Sequence, residues 1–302
     1  MAFESAYLNL QQMELLRRVR LRPRGLAEGT FAGPHSSPYR GTGVEFSDFR
    51  PYVDGDDIRL LDWKVFGRTD KHYVRLYEAE RNLLTYLVAD TSASMHYAGE
   101  VIRTESKLAY ACRLAASLGY LVVREGDEVA LTLANSRIDE HLPARSGMAH
   151  LAALLRLLGD AQAKGATDLG PCLEGVFRRI TRRGVLIVLS DFLGPLEPFW
   201  KAVDLFRQSQ FDVMLFHVVH PEELELPDVP MAKFTDPEGS PGSFRTEPQE
   251  VRQLYRERFK RFVQQLQGQA RSRGCDFFQA RTDQNPYTFL QNCFLAREAA
   301  RT

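Results

Sequence analysis

At 302 residues and 34.4 kDa, the chain is long enough for one large domain with extensions or for two domains, and it can bury a sizeable core. Apolar residues make up 44% of it and charged residues 26%, a globular balance that excludes the disordered, collagen-like and disulfide-scaffold classes. Thirty-nine Lys and Arg balance thirty-nine Asp and Glu, so no molecule-wide field draws the protein to nucleic acid or to an anionic membrane.

Residues 1–80 are rich in Gly, Pro, Arg and Asp and show little helical period after Arg20. Within them Arg17, Arg18, Arg20, Arg22 and Arg24 read as a solvated basic arm. The change in pattern near Arg81 separates an N-terminal accessory segment, 1–80, from a larger domain, 81–302. That domain opens with residues 83–89, a continuous apolar run ending at Asp90, as a strand buried on both faces reads. A helix is expected over 107–123, an alternating strand over 128–134, and an edge strand over 137–142 across an Asn135-Ser136 turn. Helices follow over 148–158 and 169–180, then a fully apolar strand over 185–189 ending near Asp191, a helix over 199–206 and a third buried strand over 212–219. Strands alternating with helices of this length predict an α/β fold, a doubly wound and mainly parallel sheet.

Beyond it, apolar stretches flank D-P-E-G-S-P-G, so a β-hairpin insertion is expected within 227–247. Val251, Leu254, Tyr255, Phe259, Phe262, Val263 and Leu266 mark one face of a long helix, followed by a short apolar segment and a last helix from about Pro286. Residues 245–273 hold eight basic and three acidic side chains, read as a solvated helix face. The longest apolar run is only a few residues, against the roughly 20 that cross a bilayer, and residues 1–10 lack the basic start of a signal peptide, so a cytoplasmic protein is expected. Cys112, Cys172, Cys275 and Cys293 form no C-x-x-C pair and are expected as reduced thiols, Cys112 and Cys172 within helical apolar patterns.

In open parallel sheets ligands gather at the carboxyl ends of strands, so oxygen-bearing side chains there carry most weight. The first strand ends A-D-T-S-A-S-M, placing Asp90, Ser92 and Ser94 in one turn; Thr167 stands in G-A-T-D-L-G just before a helix; Asp191 ends the next apolar strand. Two carboxylates and three hydroxyls from three loops suit a hard cation such as Mg²⁺, and the lack of His or Cys among them tells against zinc. Each residue also has a structural alternative, as a helix cap or an acceptor for backbone N–H. His217 and His220 are three apart at a strand end, so one packed and one exposed histidine is expected rather than a metal pair.

D-x-S-x-S after a buried strand, a downstream Thr and a later S-D resemble the metal-ion-dependent adhesion site of von Willebrand factor A domains. The resemblance implies that Ser92, Ser94 and Thr167 offer hydroxyls to the ion, Mg²⁺ or else Mn²⁺ or Ca²⁺. Asp90 and Asp191 act directly or through water, and an open position accepts an Asp or Glu from a partner protein.

Upstream, G-T-G-V-E-F-S-D-F-R-P-Y-V-D-G-D-D-I-R-L-L-D-W-K at 41–64, with V-R-L-Y-E-A-E-R-N before the first strand, resembles the bacterial family called domain of unknown function 58. The family joins such a segment to a von Willebrand factor A-like domain and is associated with MoxR-type AAA+ ATPases. The implied function is a metal-dependent adaptor or co-chaperone of such an ATPase and its client, with a metal-dependent phosphoester hydrolase as the alternative. The chain has no G-x-x-x-x-G-K-[ST] loop and no G-x-S-x-G elbow, so ATP hydrolysis and acyl transfer are not expected of it. The string at 43–62 holds six acidic residues and two arginines; packing and partner contact both remain open for it.

Overall fold

The computed structural model describes residues 6–17, 19–23, 44–53, 61–69, 71–79, 83–229, 232–235, 238, 243–246 and 248–299. The chain divides into two compact units, Met1–Leu26 with Leu83–Thr302, and Ala27–Asn82. The first unit begins with α1 (Leu10–Leu15), a short helix closed by a capping box in which Asn9 and Gln12 exchange side-chain and backbone bonds.

The stretch after it is no free arm. Leu16, Val19 and Leu21 are buried while Arg17 and Arg20 point outward, and Arg124 bonds the carbonyls of Leu16 at 2.8 Å and Val19 at 2.7 Å. The apolar residues between the arginines decide this, since each buries its side chain and leaves its charged neighbour in water. Arg18 and Arg24 lie outside the described residues.

The second unit pairs β1 (Val44–Pro51) antiparallel with β2 (Tyr73–Ala79), with a bulge between Phe46 and Asp48. Between them in sequence, α2 (Trp63–Thr69) starts from Asp62, whose carboxylate accepts the N–H of Lys64 at 2.8 Å and of Val65 at 3.2 Å. Trp63 is exposed, and Asp54, Gly55, Asp56 and Asp57 fall outside the described residues.

The first unit holds a six-stranded sheet built from β3 (Leu84–Asp90), β4 (Glu128–Ala134), β5 (Ile138–Arg145), β6 (Val185–Ser190), β7 (Asp212–Val219) and β10 (Asp276–Arg281). Its order is β10-β7-β6-β3-β4-β5, parallel throughout except for β5, which runs back along β4 at one edge. This is the doubly wound α/β sheet that the strand and helix alternation predicts. The apolar strands β3, β6 and β7 are buried along their whole length, because helices cover both faces.

On one face α3 (Lys107–Arg124), α4 (Met148–Gly159), α9 (Pro286–Ala299) and α1 pack against Leu87, Ala89, Ile187 and Phe216. On the other, α5 (Leu169–Phe177), α6 (Leu196–Gln208) and α8 (Pro248–Ser272) cover Tyr86, Val88, Leu186 and Leu215. At Gly170, a Cβ would stand 2.6 Å from that of Pro198, an approach of α5 to α6 that only glycine permits. All four cysteines are buried free thiols. Arg256, Arg258, Lys260 and Arg261 on α8 face solvent, as does Leu254, which leaves the apolar face that its spacing suggests. Among the described residues no helix is long and apolar enough to cross a membrane.

After β7 come the short α7 (Pro221–Leu224) and a hairpin of β8 (Ala232–Thr235) with β9 (Ser243–Thr246). Of His217 and His220 one exposed ring was expected, yet both are buried; His220 Nδ1 accepts the Glu222 N–H at 3.1 Å and caps α7. His217 sits in a wall of Phe192, Phe259, Phe262 and Phe277, and burial pushes its pKa down to about 4. In the unfolded chain the ring titrates near 6.5, so the stability carried by a neutral buried His217 is complete above that pH. It is lost as pH falls from 6.5 to 4, by about 3 kcal/mol in all. Urea titrations at pH 7 and pH 4.5 should show this loss in the parent and a correspondingly smaller one in His217→Gln; equal losses would refute the assignment.

Candidate metal centre

The strand order turns at the middle of the sheet: the chain leaves β3 for β4 on one side and later returns as β6 on the other. Two parallel neighbours whose connections part in opposite directions leave a crevice at their carboxyl ends. Asp90 ends β3 and Asp191 follows β6, so both carboxylates fall in that crevice.

Asp90 is wholly buried, its Oδ1 accepting the Ser92 N–H at 2.8 Å and its Oδ2 the Ser190 hydroxyl at 2.5 Å. The chain then turns through Thr91 and Ser92 into one 3-10 turn, Ala93–His96, and the hydroxyls of Ser92 and Ser94 stand 3.0 Å apart. Asp191 accepts the Lys107 ammonium on Oδ2 at 2.7 Å and the Leu193 N–H on Oδ1 at 3.2 Å, with Ser94 bonding its side chain as well. Phe192, directly after it, has φ 54°, a left-handed backbone rare for a bulky residue and held here by burial against Phe199.

The third loop is laid across the first. Ala93 N–H donates to the Gly165 carbonyl and Lys164 N–H to that of Thr91, both at 2.8 Å. Gly194 packs so closely on Thr167 that a Cβ there would meet the Thr167 carbonyl at 2.6 Å. Asp90, Ser92, Ser94 and Asp191 thus form one connected cluster, and Thr167 stands beside it on a loop pinned from both sides; all five are buried. Thr167 is itself engaged by Glu238, from the turn of the β8–β9 hairpin.

Burial, and next the charge of Asp191, push the Asp90 carboxyl up to about 7 despite the bonds from Ser190 and Ser92. Burial alone would raise Asp191 too, but the Lys107 ammonium overrides it and holds Asp191 below the usual carboxylate range. Lys107, 1% exposed, has the opposite balance: desolvation disfavours its charge, and the carboxylates of Asp191 and Glu223, the latter 2.6 Å away, more than restore it. This ammonium thus pairs with Asp191 and Glu223, and Asp90, raised by the charge of Asp191, has no positive partner among the strongest influences on it, which are burial, Asp191, Ser190 and Ser92. Among the described residues no cluster of three or more His, Cys, Asp or Glu side chains forms a metal site. The donors here are two carboxylates and three hydroxyls, all hard oxygens, and the charge deficit at Asp90 fits a hard divalent cation.

Several participants are absent from the sequence reading. Lys107 carries one faint signal, a cation at the N-terminus of a helix, where the helix dipole disfavours it. Glu222 carries none. Its carboxylate ties the loop after β3 to α7 by accepting the N–H groups of Glu100, Val101 and Ile102 and the Tyr97 hydroxyl. Glu223 and Glu238 lie in segments whose spacing marks only turns. On the rim Val101, Ile102 and Leu193 are large apolar side chains in solvent, carried by the loops that follow β3 and β6.

Among curated proteins, the chain is 33% identical over 217 residues to an uncharacterized protein of Mycobacterium tuberculosis, covering 71% of this chain and 67% of that one. An uncharacterized protein of Mycobacterium bovis matches with the same figures. Solved structures similar to it include the conserved hypothetical protein BatB from Bacteroides thetaiotaomicron, at TM-score 0.46 and 18% identity over 73% of this chain and 100% of that one. An aerotolerance-related membrane protein from Bacteroides fragilis matches at TM-score 0.47 and 17% identity, over 72% of this chain and 100% of that one. The SpRpn10 VWA domain matches at TM-score 0.38 and 9% identity, over 70% and 94%. The model of one family matches residues 48–265, spanning β1 through most of α8 and so taking in the whole oxygen cluster: the chain belongs to the family described as protein of unknown function DUF58.

Proposed function

We propose that this protein is a divalent-cation-dependent protein-interaction module. Asp90, Ser92, Ser94, Thr167 and Asp191 hold Mg²⁺, which supplies an electrophilic position for a carboxylate of the partner. The observation that carries this reading is the crevice at the turning point of the sheet, where buried oxygens converge and Asp90 lacks a full counter-charge. The rim of Val101, Ile102 and Leu193 supports a protein as the partner, since exposed apolar side chains around a polar centre suit a protein interface. The partner we favour is a MoxR-type AAA+ ATPase, for which this chain acts as adaptor or co-chaperone. That choice rests on the resemblance of residues 41–64 and on family membership. Hydrolysis at the same cation is less well supported. Lys107 is held protonated by two carboxylates and His217 is neutral behind phenylalanines, so neither serves as a general base.

The test needs variants that keep the fold. Asp191→Ala is unsuitable, because it strands the buried ammonium of Lys107. Asp90→Asn and Thr167→Val keep shape while removing a charge and a hydroxyl. Calorimetry should show Mg²⁺ binding by the parent and none, or at least about tenfold weaker binding, by Asp90→Asn. Complex formation with the ATPase should weaken in chelator and in Thr167→Val by roughly 1.5 to 3 kcal/mol. Identical Mg²⁺ isotherms for parent and Asp90→Asn would overturn the reading.

A further inference from the structure

Glu238 reaches Thr167 across 71 residues of chain, and its carboxylate accepts two bonds from that one residue. The Thr167 N–H donates to Oε2 at 3.0 Å and the Thr167 hydroxyl to Oε1 at 2.5 Å. Two oxygens fixed on two donors of a single buried residue hold a carboxylate in orientation as well as in place. The hydroxyl involved belongs to the set assigned above to the cation. A hydroxyl that gives its proton to a carboxylate keeps lone pairs for an ion, so Glu238 and the cation can engage Thr167 together. The ion's charge then draws the carboxylate further toward it.

We infer that Glu238 is an internal competitor: the hairpin presents to the cation centre the kind of carboxylate that a partner protein supplies, and a partner takes the site by displacing it. This rests on the metal reading above. A tethered group acts at an effective concentration on the order of millimolar, so one untethered acid from solution competes poorly. A successful partner needs further contacts, and the exposed Val101, Ile102 and Leu193 offer them on the same rim. Selectivity follows from this arrangement: proteins that bring only a surface Asp or Glu are refused, whereas one that brings an acid together with an apolar patch is admitted. A purely structural role, in which Glu238 only fastens the loop ahead of α5, would leave the coordination of the ion unchanged.

The experiment uses Mn²⁺ as the metal probe and acetate as the carboxylate probe, with water-proton relaxation reporting the exchangeable waters on bound Mn²⁺. E238Q and E238A are compared with the parent, because the glutamine amide oxygen can still accept from Thr167 whereas alanine cannot. Mn²⁺ should bind all three proteins. Its relaxation enhancement should rise in both variants by the equivalent of one water, and acetate should lower the enhancement of the variants at roughly tenfold lower concentration than it lowers that of the parent. Bound Mn²⁺ with the same hydration and the same acetate response in all three would overturn the internal competitor while leaving the cation centre standing. Failure of Mn²⁺ to bind any of them would overturn both.

Discussion

Replacing Lys107 with methionine should cost the fold about 3 to 5 kcal/mol, although the new side chain fills nearly the same space. The ammonium is 1% exposed and bonds Asp191 at 2.7 Å and Glu223 at 2.6 Å. Removing it leaves Asp191 as an unneutralised charge in the interior, next to Asp90, whose pKa that same charge already raises. Glu223 contributes less to the loss, because its side chain is partly exposed and water can take over some of the charge. If the crevice holds a cation, saturating Mg²⁺ should reduce the loss in Lys107→Met by restoring positive charge beside the aspartates, and chelator should bring it back. Urea unfolding of parent and variant, each with Mg²⁺ and with chelator, checks both parts. A loss under about 1 kcal/mol in chelator would show that the buried pair is not what holds this end of α3 to β6.

Arg297→Met should destabilise by a similar amount, about 3 to 5 kcal/mol, at the opposite end of the sheet and without effect on Mg²⁺. Arg297 on α9 pairs with Asp212 at the start of β7 at 2.5 Å and with Asp276 at the start of β10 at 2.8 Å, and all three are almost fully buried. The guanidinium also donates to the Met214 sulfur at 2.9 Å. One planar cation thereby fastens the final helix to the two strands at that edge, which no other strand covers among the described residues. Adding Asp212→Asn to Arg297→Met should cost less than the sum of the single losses, because the second change removes a charge that the first has stranded. Strict additivity in chemical denaturation would show that the two charges are not coupled.

Within the sheet unit, most elements were legible because their signals are local. Residues 83–89, 185–189 and 212–219, read from the sequence as short buried strands, lie where the structure has β3, β6 and β7. Helix ends moved by a few residues; α6, for instance, starts at Leu196 rather than Phe199, since Pro195 and Leu196 carry little of the periodic pattern. In the smaller unit the strands β1 and β2 went unread, because Gly, Pro and acidic residues interrupt alternation there and no long apolar run marks a buried strand.

The sequence by itself determined which oxygens stand at strand ends: once β3 and β6 are strands, Asp90, Ser92, Ser94 and Asp191 must fall at the carboxyl edge of a parallel sheet. Only the tertiary structure decided what surrounds them. Lys107 meets Asp191 across 84 residues and Glu223 across 116, and Glu238 meets Thr167 across 71. Periodicity and turn chemistry report on neighbours within about one or two turns of helix, so they are silent on contacts at such separations. The balance of charge in the crevice, and with it the protonation of Asp90, is a sum over groups that only the folded chain brings within a few ångströms of one another.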